Sequence, residues 1–270
     1  MVASNDEKFP QTETMHYDIY VDKLNRYSDG LENSPNRFVK FSDRKISSCW
    51  GVGVMEGLYK GQYKGTWRGL KLLKHATVLQ IYQELLQKEK PKTIIEFGTF
   101  HGGSALWLSD MCKLFSLTDT KILTVDISHQ YLAPNTKEMA GENTEFILGD
   151  VTNIIESISP ERLQSLPHPW FVMDDSHMKV DKVLLDMSPF MKSGDYYVVE
   201  DCNPDMVLNP DIIINNMPYE TRGLDEDWPV YRELEAAMRE LGDDFQVDTY
   251  YCDYFGYNST INMNSYLRKM

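Results

Sequence analysis

Five apolar runs in this sequence each end on an acid. The runs at 94–95, 122–125, 146–149, 170–173 and 196–199 lead into Glu96, Asp126, Asp150, Asp174 and the pair Glu200-Asp201. Successive acids lie 24 to 30 residues apart. Carboxylates recurring at that interval suit the binding of cations, hydroxyls or diols at the carboxyl ends of parallel strands, where such sheets hold their ligands. The first of them opens a loop, Glu96-Phe97-Gly98-Thr99-Phe100-His101-Gly102-Gly103-Ser104, and a helical pattern starts at Ser104. Gly98 lets the chain leave its strand sharply, and Gly102 and Gly103 would let a ligand approach the main chain closely. The helix start directs N–H groups at the same space, which favours a carboxylate or phosphate. A dinucleotide fingerprint would need glycine two residues before Gly98. Glu96 stands there instead, an acid that repels a pyrophosphate and suits an ammonium group.

The remaining acids admit specific uses. Asp126 suits bidentate hydrogen bonding to a ribose diol. Asp150, in Gly149-Asp150-Val151, could border an adenine or cap the helix that follows, and the two roles are compatible. Asp174-Asp175-Ser176-His177 and Glu200-Asp201-Cys202-Asn203 would bring several carboxylates into one cleft, where they repel one another unless a cation sits among them. Oxygen donors without thiolates select Mg²⁺, Ca²⁺ or Mn²⁺, and a cation held there would lower the pKa of a bound hydroxyl. His177, three residues beyond Asp174, is a candidate proton acceptor. The plainer alternative is a set of solvated loop acids with His177 capping a helix.

These groups need a frame. Val78, Ile81, Tyr82 and Leu85 share one face of a helix over 77–88, which Pro91 stops. Strand and helix then alternate, with helices expected at 103–115, 135–141, 151–158, 179–190 and 229–241, the pattern of βαβ units and a parallel sheet. Strands at 245–251 and 262–268, separated by a turn at 256–259, predict a hairpin-like antiparallel ending. Residues 1–15 are polar. The aromatic, glycine-rich stretch at 47–67 reads as a cover over something or a subunit contact in a homo-oligomer, and the long acidic segment 203–228 reads as a lid.

Composition narrows the function classes. A formal net charge of −14, from 41 acids against 27 Lys and Arg, disfavours a phosphate backbone as partner. Cys49, Cys112, Cys202 and Cys252 show no zinc spacing. No run reaches 18 apolar residues, and the opening MVASNDEKFP lacks a basic-then-apolar leader pattern. The expectation is a cytoplasmic protein with reduced thiols that binds neither nucleic acid nor membrane.

Glu-x-Gly-x-x-x-Gly-Gly-Ser at 96–104, the acid Asp126 and Gly-Asp-Val at 149–151 resemble a class I S-adenosylmethionine-dependent methyltransferase. More narrowly, Thr66-Trp67-Arg68-Gly69, His101-Gly102-Gly103-Ser104, Asp174-x-x-His177 and Gly194-Asp195-Tyr196 leading into Glu200-Asp201 resemble the cephalosporin hydroxylase-like (CmcI-like) methyltransferases. The resemblance implies a doubly wound, Rossmann-like α/β fold with a mostly parallel seven-stranded sheet and a C-terminal antiparallel pair. It divides the chain into an N-terminal extension, 1–65, and a methyltransferase domain, 66–270. It implies that S-adenosylmethionine lies along Glu96, Gly98, Thr99, Gly102 and Ser104 with its methionine end, on Asp126 and Ile127 with its ribose, and near Gly149, Asp150 and Val151 with its adenine, close to Asp174. It places Mg²⁺, or another hard divalent cation, on Asp174, Glu200 and Asp201, with His177 or His101 as proton acceptor. The expected reaction is methylation of a hydroxyl on a small metabolite. An NAD-dependent oxidoreductase, a metal-dependent hydrolase or hydroxylase, an N-methyltransferase and a non-catalytic cofactor-binding partner stand as alternatives.

Overall fold

The computed structural model describes residues 19, 21–23, 30, 32–50, 52–202 and 229–270. The chain divides into two compact units, Met1–Arg37 and Phe38–Met270. In the second unit the elements run β1 (Phe38–Val39), α1 (Val52–Gln62), β2 (Thr66–Trp67), β3 (Leu70–Lys71), α2 (Ala76–Glu89), β4 (Thr93–Phe97), α3 (Gly103–Leu114), β5 (Lys121–Asp126), α4 (Thr136–Ala140) and β6 (Thr144–Leu148). They continue through α5 (Ile154–Ser157), α6 (Pro160–Ser165), β7 (Trp170–Asp174), α7 (Val180–Met187), β8 (Tyr196–Val199), α8 (Pro229–Leu241), β9 (Phe245–Asp248), α9 (Thr249–Cys252) and β10 (Tyr266–Lys269). Residues 38–65, expected in an N-terminal extension, thus sit in the same unit as the sheet. The expected lid at 203–228 lies outside the described residues. Among the described residues no helix is long and apolar enough to cross a membrane.

Eight strands form one sheet in the order β1-β9-β10-β8-β7-β4-β5-β6. The pairs β4–β5, β4–β7, β5–β6 and β7–β8 are parallel, and those of β10 with β8 and β9, and of β1 with β9, are antiparallel. β4 is the pivot: the next two strands add on one side of it and β7 on the other, so the switch point opens between the carboxyl ends of β4 and β7, where such sheets bind ligands. Every residue of β4, β7 and β8 is buried, as continuous apolar runs covered on both faces require. Val78, Ile81, Tyr82 and Leu85 do pack inward from α2, which stops at Lys90 in a left-handed conformation before Pro91. Each such side chain contributes roughly 1.5–3 kcal/mol by leaving water.

The C-terminal pair is antiparallel as expected, with Leu267 opposite Val247, but its strands are shorter. Asp248 ends β9 by accepting the Tyr250 N–H at 2.9 Å, and residues 249–252 turn into α9. The hydroxyls of Tyr250 and Tyr251 there donate to Glu84 and Glu89 of α2. The supposed strand residues Asn262 to Ser265 form a fully buried polar loop instead. It is satisfied locally: Ser265 Oγ donates to the Val199 carbonyl at 2.6 Å, and Asn262 Oδ1 accepts the Asp201 N–H at 3.1 Å. A loop saturated in this way can be buried without orphaned polar groups.

Candidate active site

A cleft of about 820 Å³ opens over the carboxyl ends of the parallel strands. Of the residues expected to bind a cofactor, Gly98, Thr99, Ser104, Asp126, Ile127, Asp150 and Val151 line it, as do His101, His177 and Asp201. Glu96, Gly102, Gly149, Asp174 and Glu200 do not. Three further residues close one wall, Tyr59 and Gln62 of α1 and Tyr63 just after it. Their stretch was legible only as aromatic and glycine-rich, without a periodicity that would aim them.

The glycines of the first loop serve close approach of protein to protein. Gly98 has φ of 97°, and a Cβ there would lie 2.7 Å from the Asp175 carbonyl oxygen, across the switch point. A Cβ on Gly103 would lie 1.9 Å from the Lys71 carbonyl, and one on Gly102 would lie 2.5 Å from Thr136 Cγ2. Gly102 and Gly103 therefore seat α3 against β3 and α4, because the side on which each would carry a Cβ is filled by the chain itself. The start of α3 carries no side-chain cap, and Gly103 and Ser104 border the cleft, so its dipole still faces the cavity. Asp126 braces the loops, its Oδ2 accepting from Phe100 N at 2.8 Å and Oδ1 from Ser128 N at 3.1 Å. Each oxygen keeps a second lone pair for a diol. Asp150 caps the turn after β6, its Oδ1 accepting from Thr152 N at 2.8 Å and from Thr152 Oγ1 at 2.7 Å. It also lines the cleft.

Glu96 lies wholly beneath the floor. Its Oε2 accepts from Thr124 Oγ1 at 2.5 Å, and Thr99 Oγ1 is 2.6 Å from the same hydroxyl. Because Thr124 spends its one proton on Glu96, Thr99 must be the donor to Thr124, and a chain of hydroxyls joins the cleft to the buried acid. Glu96 Oε1 makes no hydrogen bond of sound geometry, although the Ser104 hydroxyl is near enough to act on the carboxyl. Burial pushes the Glu96 carboxyl above its usual range, against the pull of the Lys74 ammonium and of both hydroxyls.

The second acidic cluster divides in the same way. Asp174 turns inward, its Oδ2 accepting from Tyr197 at 2.8 Å and its Oδ1 from Ser176 Oγ at 2.7 Å. Glu200 also turns inward: Tyr82 donates to its Oε1 at 2.8 Å, and Lys74 Nζ lies 2.6 Å from its Oε2. Asp174, Glu200 and Asp201 are thus not brought together as a set of ligands. Asp175, His177 and Asp201 are, with one donor atom of each within 4.8 Å of the others. His177 Nε2 is 3.3 Å from Asp175 Oδ1 and 3.5 Å from Asp201 Oδ2. His177 and Asp201 both hold left-handed backbone, φ 54° and 52°, a conformation that costs a side-chain-bearing residue about 1–2 kcal/mol and is retained where surroundings over-determine it. Two carboxylates without a thiolate beside them fit a hard divalent cation.

Electrostatics sharpen the roles. Burial alone would lower His177, but the hydrogen bond and charge of Asp175, with the charges of Asp201 and Asp174, outweigh it and push its pKa up to about 9. His177 is therefore an imidazolium at neutral pH. Burial would likewise raise Asp175, yet Lys74 and His177 hold it below the usual carboxylate range. Lys74 stays an ammonium despite burial because Asp175, Glu200 and Glu96 surround it. Sequence reasoning had no signal for Lys74, one lysine among several near the first helix. His101 stands apart from this cluster, on the rim, with Nδ1 2.7 Å from the Tyr131 carbonyl and its ring 4.1 Å from that of Phe100.

The rhamnosyl O-methyltransferase of Mycobacterium leprae (strain TN) is 31% identical over 203 residues, covering 73% of this chain and 80% of that protein. The rhamnosyl O-methyltransferase of Mycobacterium tuberculosis (strain ATCC 25618 / H37Rv) is 30% identical over 199 residues, covering 72% and 74%. A solved structure of CmcI with Mg and SAM shares the fold at a TM-score of 0.60 and 20% identity, over 88% of this chain and 92% of that one. The family profile described as Rhamnosyl O-methyltransferase/CmcI matches residues 59–270, and the chain belongs to that family of O-methyltransferases.

Proposed function

We propose that this chain transfers the methyl group of S-adenosylmethionine to a hydroxyl oxygen of a small sugar-like metabolite, a rhamnosyl unit being the acceptor class suggested by the names of its relatives. One observation carries the reading: a single cleft joins the uncapped start of α3 and Asp126 to the half-buried trio Asp175, His177 and Asp201. Gly103 and Ser104 would receive the donor's carboxylate, and Asp126 its ribose diol. A divalent cation bound by Asp175 and Asp201 would supply Lewis acidity to the acceptor hydroxyl. The protein's own part is then to fix the two substrates in line, which supplies much of the rate in a displacement of this kind. Asp175 and Asp201 hold the imidazole between them, so His177 accepts the hydroxyl proton only in the form that has lost its own. In this reading residues 66–270 carry methyl transfer, the wall from α1 covers the acceptor, and the −14 charge fits a cytoplasmic enzyme of small molecules rather than a nucleic-acid partner. The stretch at 47–67 is the candidate contact should the chain pair with its own copy.

The test is transfer of label from methyl-labelled S-adenosylmethionine to free rhamnose, a rhamnoside and a glucoside, each with Mg²⁺ and with a chelator. The expected result is labelled O-methyl product from a rhamnosyl acceptor, lost on chelation. Calorimetry showing NAD binding and no S-adenosylmethionine binding would overturn the assignment.

A further inference from the structure

The buried polar loop at 262–265 leads into β10, the strand paired with β8, and three of its groups clasp the end of β8. Ser265 Oγ donates to the Val199 carbonyl at 2.6 Å, Asn262 Oδ1 accepts the Asp201 N–H at 3.1 Å, and the Met263 carbonyl accepts from Cys202 Sγ at 3.1 Å. Asp201 holds its left-handed backbone, φ 52°, within this clasp, so its unfavourable conformation has an identifiable restraint.

The orientation of the Asn262 amide follows from its partners. The Asp201 N–H needs an acceptor, so Oδ1 faces it and Nδ2 faces away. Nδ2 lies 3.3 Å from the Tyr82 hydroxyl oxygen and 3.4 Å from that of Tyr266, and it donates to both. A hydroxyl that accepts from Asn262 keeps its own proton for another partner, and Tyr82 gives it to Glu200 Oε1 at 2.8 Å. One fully buried side chain thus reaches both acids of the pair, Asp201 through its backbone and Glu200 through Tyr82.

We infer that Asn262 is the positioning residue of the acid pair at the end of β8, setting through its one amide the directions in which the Glu200 and Asp201 carboxylates point. Its effect on ion binding rests on the metal-assisted reading of the cleft and holds whichever acid of the pair meets the ion. Its effect on the Asp201 backbone does not depend on a metal.

Amide exchange followed by NMR on the metal-free full chain, and Mn²⁺ titration by calorimetry, test this. In the wild type the Asp201 N–H is expected to exchange at least about a hundred-fold more slowly than an unprotected amide; exchange at the unprotected rate overturns the inference before any variant is made. Asn262→Ala is expected to speed that exchange and to weaken Mn²⁺ binding about five-fold or more. Its S-adenosylmethionine affinity without metal is expected to stay within about three-fold of the wild type, because Asp126 and the start of α3 are untouched. Asn264 is equally buried in the same loop but bonds Arg44, Lys45 and Tyr231, so Asn264→Ala measures the effect of merely loosening the loop. A loss of Mn²⁺ affinity smaller than five-fold in Asn262→Ala, or an equal loss in Asn264→Ala, overturns the inference. If the wild type binds no Mn²⁺, metal-assisted transfer fails, and the Asp201 exchange rates of the two variants decide the role of Asn262: faster exchange in Asn262→Ala alone upholds it, and equal rates overturn it.

Discussion

His75, the residue that precedes α2, makes this protein acid-labile by an amount that can be worked out. Its side chain is fully buried, neither ring nitrogen has a hydrogen-bond partner, and its ring meets that of Tyr59 edge-on at 5.9 Å. Burial alone lowers its pKa from 6.5 to about 4. The folded state therefore holds His75 neutral, whereas the unfolded chain protonates it below pH 6.5. Stability is unaffected above pH 7, falls as pH drops from about 6.5 toward 4, and loses nothing further from this group below that. Two and a half pKa units correspond to about 3 kcal/mol in full, of which about 2 kcal/mol is lost between pH 7 and pH 5. His75→Phe keeps a ring against Tyr59 and forfeits no hydrogen bond. Any change in packing applies equally at both pH values, and the titration of the acids is common to both proteins, so both cancel in the difference. Urea unfolding at pH 7 and pH 5, followed by tryptophan fluorescence, should show the wild type losing about 2 kcal/mol more than the variant over that interval. Equal losses in the two proteins would refute the placement of a neutral, unpartnered imidazole there.

Other perturbations test other parts of the structure. Gly103→Ala should destabilise by roughly 1–3 kcal/mol or more, because its Cβ would meet the Lys71 carbonyl at 1.9 Å; a thermal midpoint within a degree of the wild type would contradict the contact between α3 and β3. Arg44 pairs with Asp253 and donates to Asn258 and Asn264 in a largely buried cluster, so Arg44→Met should cost about 3 kcal/mol in chemical denaturation. Asp201→Asn should weaken Mn²⁺ binding about ten-fold or more, some 1.4 kcal/mol, and Glu200→Gln should weaken it less. A larger loss for Glu200→Gln would show that Glu200 ligates the ion.

The frame was legible because its signals are local. Apolar runs bounded by glycine, proline and acid gave the parallel strands, and the spacing of Val78, Ile81, Tyr82 and Leu85 gave α2 with its buried face. The C-terminal strands were overrun because Tyr250 and Tyr251 have strand propensity, while a single cap, Asp248, turns the chain there. α6 was missed although Ser159 and Pro160 are a helix start by type, the Ser159 hydroxyl accepting from Arg162 N. In the site, residue type found the cluster but could not assign orientation. Asp174 and Asp175 are neighbours in sequence, and only the tertiary contact with Tyr197 decides that the first faces inward. Lys74 reaches the cluster from 101 residues away, a distance over which no local pattern operates.

The row of acids at the strand ends is, in three dimensions, two rows. Glu96, Asp174 and Glu200 lie beneath the cleft, held by Thr124, Tyr197 with Ser176, and Tyr82 with Lys74. Asp126, Asp150, Asp175 and Asp201 border the cleft itself. Side-chain partners, not strand parity, impose the split: Asp175 and Glu200 follow the paired residues Asp174 and Val199 at the same level of the sheet, yet one borders the cleft and the other turns to Tyr82 and Lys74. The inner row is costly to ionise, and burial raises the pKa of all three of its members, which limits their mutual repulsion. The outer row has water and ligand to answer to, and its negative charge is open to the cavity. A ligand that carries positive charge into that cavity, as a sulfonium does and a divalent cation does, replaces repulsion among the outer acids by attraction. The preference for such ligands thus follows from which acids the fold hides as much as from which it shows.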